Sequence, residues 1–331
     1  MQKNYDVVSA DQSMIDIAIT ISEAELKEIA LPKGTGSLVD VQKRDELLKR
    51  FEKRIKGKCV GGSSLNTIKA LASFGKKTAF IGAVGDDEYG KVVRDEFNRL
   101  GVASELMMHD GHTGVCVCFI TPDGERTMAA NLSGIYLNEQ QDKMLTYAEQ
   151  SRVLHLSGYI WANPIQRDAI IRILKRAKNS HTAVSFDVSD PLVVKEHRAD
   201  FLDIIDKYAD VIFANVMETI ALYDLPPHEA ASAIQDANKC AVIKLGAKGA
   251  VIGNRGEQYK IAPINADVLD TTGAGDMFAA GFLYGITSNL PLPIAGYYGA
   301  LLATDVITNY GAVLSDDIVT KLKAKRRFAF Q

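Results

Sequence analysis

The chain is short of cysteine, of net charge and of long apolar runs, and each shortage removes a class of protein. Its 38 Lys and Arg against 41 Asp and Glu leave a formal net charge of −3. That balance gives no electrostatic case for nucleic acid or an anionic membrane surface. The one basic run, Lys321–Arg327, is accounted for by a solvated helix end. Met1–Asp6 is polar and the apolar stretch after it is too short for a secretion signal. The best membrane candidate, Ile294–Ile307, contains Asp305 and several small residues, so no span reaches bilayer length. The four cysteines, Cys59, Cys116, Cys118 and Cys240, lack metal-ligand spacing and sit among apolar neighbours. They read as reduced core thiols of a cytoplasmic protein. Internal repeats and low-complexity linkers are also missing.

What is present is a chain of 331 residues, 47% hydrophobic, long enough for one large domain plus an appendage. Tyr5–Ala10 reads as a buried strand and Ser13–Ile21 as a half-buried one. Asp40–Ile55 has the pattern of an amphipathic helix. Gly61-Gly62-Ser63-Ser64 leads into a helix over Thr67–Phe74 that closes at Gly75. Thr78–Val84 is a strand, followed by a turn and a helix over Tyr89–Leu100. Strands at Val153–Leu156, Ala183–Phe186, Val211–Ala214 and Ala241–Leu245 alternate with helices near Gln166–Ala177, Phe201–Tyr208 and Glu229–Ala237. Such alternation predicts a mostly parallel sheet covered on both faces, a three-layer α/β/α domain. The extended pieces Ile15–Ile21 and Val115–Ala130 break the alternation and are assigned to a small β lid. The expected division is 1–13, 60–102 and 137–331 for the large domain, with 14–59 and 103–136 for the lid.

Polar clusters follow the predicted strands, where ligands bind in a parallel α/β sheet. They comprise Asp16, Gly61-Gly62 with Asn66, Asn215 with Glu218, and Gly246 with Gly249. The richest cluster is Asp270-Thr271-Thr272-Gly273-Ala274-Gly275-Asp276, which opens an apolar helix. A glycine turn at a helix start presents backbone N–H groups to an anion, and an acid beside it can take a proton from an attacking hydroxyl. Taken singly, each feature also has a plain reading: a surface acid, an N-cap, a hairpin. Two better-known motifs fail. Gly85–Lys91 lacks the P-loop hydroxyl, Val92 standing in its place, and Gly273-x-Gly275 has Phe278 where a dinucleotide fingerprint needs glycine.

Asp270–Phe278 resembles the second signature of the ribokinase or PfkB family of ATP-dependent carbohydrate kinases, and Gly61–Thr67 resembles the first. Asn215-x-x-Glu218 and Leu245-Gly246-x-x-Gly249 fall in the family's order, and the texture is most similar to its adenosine-kinase-like branch. The resemblance implies a ribokinase-like fold, ATP and Mg2+ as cofactors, and a small-molecule sugar or nucleoside as partner. It implies that Asp276 is the base, with Gly273, Ala274 and Gly275 as the anion hole. Asp16, Gly61, Gly62 and Asn66 would hold the acceptor, with Arg126 closing over the phosphate from the lid. Asn215, Glu218, Lys244, Gly246, Gly249 and Ala303 would line the ATP side, with Glu218 holding Mg2+ through water. Asp270, Thr272 and Gly311 would hold a monovalent cation such as K+.

The chain departs from the family at Asp11-Gln12-Ser13, beside the acceptor, and at Lys244, where a small hydroxylated residue is common. The expected activity is phosphorylation of a primary hydroxyl on an adenosine-like ribonucleoside. The alternatives are a free sugar or sugar acid (ribose, fructose, 2-keto-3-deoxygluconate) and, from another class, a non-catalytic sensor. A monomer or a homodimer is expected.

Overall fold

A computed structural model describes residues 3–132 and 142–328. Fourteen strands are described: β1 Tyr5–Ala10, β2 Met14–Thr20, β3 Gly36–Leu38, β4 Ile55–Gly61, β5 Thr78–Gly85, β6 Ala103–His109 and β7 Gly114–Ile120, then β8 Arg126–Asn131, β9 Ser151–Ser157, β10 Ala183–Asp187, β11 Val211–Asn215, β12 Cys240–Lys244, β13 Ala250–Asn254 and β14 Glu257–Ile261. Nine of them form one sheet in the order β14-β13-β12-β11-β10-β9-β1-β5-β6. Its strands pair in parallel except at the β12-β13-β14 meander. Helices lie on both sides.

Successive residues of a central strand enter opposite cores. Val7, Val211 and Phe213 belong to one apolar cluster, while Val8, Ile212 and Ala214 belong to the other. That two-sided burial explains the near-continuous apolar strands in the sequence. All eight residues of β5 are buried.

The second sheet has the order β3-β8-β7-β2-β4. One face, carrying Ile15, Ile17, Ile19, Val117 and Phe119, packs in the same core as Leu47 and Phe51 of the segment beneath it. Phe51 and Phe119 meet edge to face, 5.6 Å between centroids. The other face carries Asp16, Cys116 and Cys118 into the cleft between the sheets. β2 was expected to be half-exposed, yet its middle five residues are buried, because its polar face closes on that cleft.

Three expectations about the segmentation are corrected. The helix expected over Asp40–Ile55 stops at Arg50, is capped by Asp40 at Lys43 N (2.7 Å), and gives way to the 3-10 turn Glu52–Arg54. Ile55 then begins β4, which pairs with β2 in the lid sheet up to Gly61, so residues 60 and 61 extend the lid strand. β6 was placed with the lid but pairs with β5 at the edge of the large sheet, because the helix Glu88–Leu100 makes an ordinary parallel crossover between them. The boundary expected between 136 and 137 lies outside the described residues. Among the described residues no helix is long and apolar enough to cross a membrane.

The rejected P-loop is a helix cap: Asp87 accepts from Gly90 N (2.7 Å) and Thr113 N (2.8 Å).

Candidate active site

The helix Ala274–Thr287 starts at Gly273, which sits at φ +77° and supplies no side-chain cap. A glycine is needed there, since that backbone is strained for other residues and a Cβ would crowd Ala312. The turn is held by Asp270, fully buried. Its Oδ1 accepts from Thr272 N (2.8 Å) and Thr272 Oγ1 (2.6 Å), and its Oδ2 from Gly311 N (2.7 Å). Asp270, Thr272 and Gly311, expected around a monovalent cation, are thus together, and they bond to one another directly. Of the three amides expected in the anion hole, Ala274 N donates to Thr271 O (3.2 Å) within the turn. That bond takes the Ala274 amide at a helix start that has no side-chain cap.

Asp276 stands at the third position of this helix, and its carboxylate is fixed from across the cleft. Ser63 Oγ donates to Oδ1 (2.7 Å) and Asn66 Nδ2 to Oδ2 (2.9 Å), while Thr67 Oγ1 donates to the Asp276 carbonyl (3.0 Å). Burial pushes its pKa up to about 6, against the opposing pull of the Asn66 and Ser63 hydrogen bonds and of Arg126. Asp16, in the same cleft, is raised to about 7, chiefly by burial, then lowered by Lys69 and raised by Asp276 itself. Two carboxylates sharing a cleft with different surroundings are suited to different tasks, one to move a proton and one to hold a hydroxyl.

The Gly-Gly turn is explained by Asp16. A Cβ on Gly61 would overlap the Asp16 carboxylate, and one on Gly62 (φ +114°) would overlap Gln12 O. Gly62 cannot cap the helix Ser63–Ser73 with a side chain. Asp11 does so from a distance: its Oδ2 accepts from Ser64 N (3.1 Å) and Ser64 Oγ (2.7 Å), and its Oδ1 from Gln12 N (2.7 Å). The departure noted at Asp11 is therefore a cap that fixes Ser63 and Asn66 beneath Asp276. Arg126 lines the same cleft from β8, and its guanidinium donates to Met128 Sδ (2.8 Å).

At the ends of β11 and β12 Asn215 and Lys244 stand in register, while Asp187 ends β10 opposite Phe213, within reach of the Lys244 side chain. Asn215 and Glu218 form a reciprocal capping box. Asn215 Oδ1 accepts from Glu218 N (2.9 Å), while Glu218 accepts from Asn215 N (2.7 Å) and Asn215 Nδ2 (2.6 Å). Glu218 is 1% exposed, and burial raises its pKa to about 7 against the pull of Lys244. Lys244 Nζ donates to Asp187 Oδ2 (2.8 Å). Burial alone would lower the lysine, but Asp187 and Glu218 outweigh it and the ammonium is held above its usual range.

Gly246 and Gly249 bound a 3-10 turn between β12 and β13, so the plain hairpin reading of this pair is what the chain forms. A Cβ on Gly249 would overlap Ile261 O, whereas one on Gly246 would meet nothing within 4 Å, so only Gly246 borders open space. Ala303 is half-buried on the helix Leu292–Val306. Close packing of that helix on the Asp276 helix, with Gly281 against Tyr298 and Gly299 against Phe278, accounts for those two glycines.

Residues that the sequence did not single out also face the site. Ser63 was quoted only as part of its motif, yet it bonds Asp276 directly. Asp187 lies at the end of a correctly expected strand, and the rule that flagged Asn215 applies to it equally. Tyr159 and an apolar wall of Leu38, Met128, Ala130, Leu132 and Val193 complete the cleft. No spacing signal joins these, since they come from four separate segments.

Comparison with known proteins fits this geometry. Residues 41–318 match the model described as pfkB family carbohydrate kinase. A 5-dehydro-2-deoxygluconokinase of Geobacillus thermodenitrificans is 30% identical over 268 residues, 76% of this chain and 79% of that protein. A probable sugar kinase protein from Rhizobium etli superposes with a TM-score of 0.92 at 29% identity, covering 98% of this chain and 99% of the other. The adenosine kinase of Sinorhizobium meliloti gives 0.89 at 30% identity, with the same coverage. With the family matched over most of its length and the motifs folded into one cleft, the chain belongs to the pfkB family of carbohydrate kinases and is an ATP-dependent phosphotransferase.

Proposed function

We propose that the chain phosphorylates a primary hydroxyl of an adenosine-like ribonucleoside. The observation that carries this reading is a cleft with a polar end and an apolar end. Asp16 stands in register with Cys116, Ala130 and Leu38 across one face of the lid sheet, so the cleft runs from a polar end, Asp16 with Asn66, to an apolar end of Leu38, Met128, Ala130, Leu132 and Val193. A ribose needs the first and a flat base the second, whereas a free sugar has hydroxyls all round and leaves the wall unused.

Asp276 takes the proton as the acceptor oxygen attacks phosphorus and ADP leaves. Its pKa of about 6 keeps it ionised at neutral pH yet basic enough to act. Gly273 and Gly275 amides, with Lys244 behind them, hold the negative charge, and Arg126 does so from the lid. The donor set fits a magnesium nucleotide. Glu218 and Asp187 are buried carboxylates beside an uncapped helix start, and Lys244 already supplies a cation there. Bound MgATP supplies the phosphoryl group and the metal charge that offsets it. A monovalent cation such as K+ would act through the Asp270 turn, by tightening the helix start that Thr272 and Gly311 close.

A second reading has support of its own: Arg126 gives the cleft a cation that suits a sugar acid, and a curated relative is a 5-dehydro-2-deoxygluconokinase. A panel of acceptors with MgATP separates the two. Adenosine should exceed ribose, fructose, 2-keto-3-deoxygluconate and 5-dehydro-2-deoxygluconate in kcat/KM. Turnover of a sugar or sugar acid with no nucleoside turnover would refute the nucleoside assignment.

A further inference from the structure

Two of the four cysteines meet Asp16 inside the acceptor cleft. β2 and β7 are parallel neighbours, in register at Asp16–Cys116 and Ala18–Cys118. The carboxylate and both thiols therefore project from one face of the lid sheet. One ligand atom from each of the three residues lies within 4.8 Å of the others, and all three residues are buried and line the cleft. The two sulfurs are 3.8 Å apart. Two thiolates bound at about 2.3 Å to one tetrahedral ion are separated by about 3.8 Å, so the pair already has the span of such a site.

The donor chemistry narrows the ion. Two sulfurs and one carboxylate oxygen form a soft, three-ligand set with its fourth position open to the cleft, which favours zinc or cadmium over magnesium. Charge is balanced as well. Two thiolates and a carboxylate carry three negative charges, which a divalent ion and the neighbouring Arg126 guanidinium offset. Sequence spacing concealed the set because Asp16 stands one hundred residues before Cys116.

We propose that Asp16, Cys116 and Cys118 form a binding site for a thiophilic divalent cation, Zn2+ or Cd2+, which closes the acceptor cleft when filled. The competition with acceptor rests on the acceptor reading above; the metal site does not.

The test is titration of the purified, reduced full chain with Co2+, followed by absorbance. A near-ultraviolet thiolate-to-cobalt charge-transfer band saturating at one equivalent, and abolished by Zn2+, is expected. The band should be lost in Cys116→Ser/Cys118→Ser, with circular dichroism and melting confirming a folded chain. Cys116→Ala/Cys118→Ala, which keeps those positions apolar, serves if the serines unfold it. Absence of the band, or a band that survives in the double variant, overturns the proposal. Saturating adenosine should raise the apparent Kd for Co2+ at least tenfold. A cysteine-dependent band that adenosine leaves unmoved keeps the metal site and removes the acceptor from Asp16.

Discussion

Lys244 Nζ lies 3.2 Å from the point where a side chain on Gly275 would begin. A side chain there would press on the ammonium and push it aside by a few tenths of an ångström. That ammonium sits at the uncapped start of the Asp276 helix, where helix dipole and cation add in favour of an anion. In the described structure the ammonium is held by Asp187.

Lys244→Met should raise KM for ATP by about 10- to 100-fold, the worth of one charged hydrogen bond of roughly 1.5–3 kcal/mol. It should also lower the melting temperature. Lys244 and Asp187 are 14% and 5% exposed, and breaking a buried pair costs about 3–5 kcal/mol. Lys244→Met/Asp187→Asn should recover much of the stability without the ATP affinity. Steady-state kinetics and thermal melting on the two variants separate positioning of phosphate from upkeep of the fold.

Asp276→Asn should lower kcat by about 10²- to 10⁴-fold while leaving ATP binding nearly intact. The proposed role of Asp276 requires it to be ionised in the unaltered enzyme. Because burial raises it to about 6, kcat/KM should fall as pH drops through about 6, well above an ordinary carboxylate's range. A pH–rate profile shows this directly; a flat profile down to pH 5 would exclude Asp276 as the base.

Much of the candidate site's local geometry was legible in the sequence because neighbouring residues make it. Asp270–Asp276 is one turn, Asn215 and Glu218 are one capping box, and Gly61–Asn66 is one helix entry. What was not legible is long-range. Ser63 and Asn66 reach Asp276 across more than two hundred residues, and Asp11 caps a helix that begins over fifty residues later. β6 was misassigned because an edge strand of mixed composition (Ala103–His109) reads alike in either sheet. Its pairing was decided by the crossover helix before it. The buried polar face of β2 was misread because alternation reports two kinds of face, and a ligand cleft counts as the polar one.

Asp16 should cost the enzyme stability. Its folded pKa of about 7 exceeds the ordinary carboxylate value of 3.8, so the native state binds the proton more tightly than the unfolded chain. Between those values stability falls as pH rises, and above about pH 7 the full penalty of the buried charge applies. Asp16→Asn should therefore be more stable than the unaltered chain at pH 8, by on the order of a few kcal/mol, and melt higher. The advantage should shrink towards pH 5, while acceptor KM rises at every pH. Equal melting temperatures at pH 8 would mean that the carboxylate is better solvated than its burial implies.

The apolar wall can be tested without disturbing the core, because Leu38 lines the cleft yet is 63% exposed. An exposed leucine facing a cleft is suited to a ligand. Leu38→Asp should change stability by no more than about 0.5 kcal/mol, the range of an ordinary surface substitution. It should raise KM for adenosine by roughly tenfold, as expected for losing part of a buried apolar contact of about 1.5–3 kcal/mol. KM for ATP should not move, and turnover of ribose, which is too small to reach the wall, should be unaffected. An unchanged adenosine KM would place the base elsewhere. Equal losses with ribose and adenosine would assign Leu38 to lid geometry instead of recognition of the base.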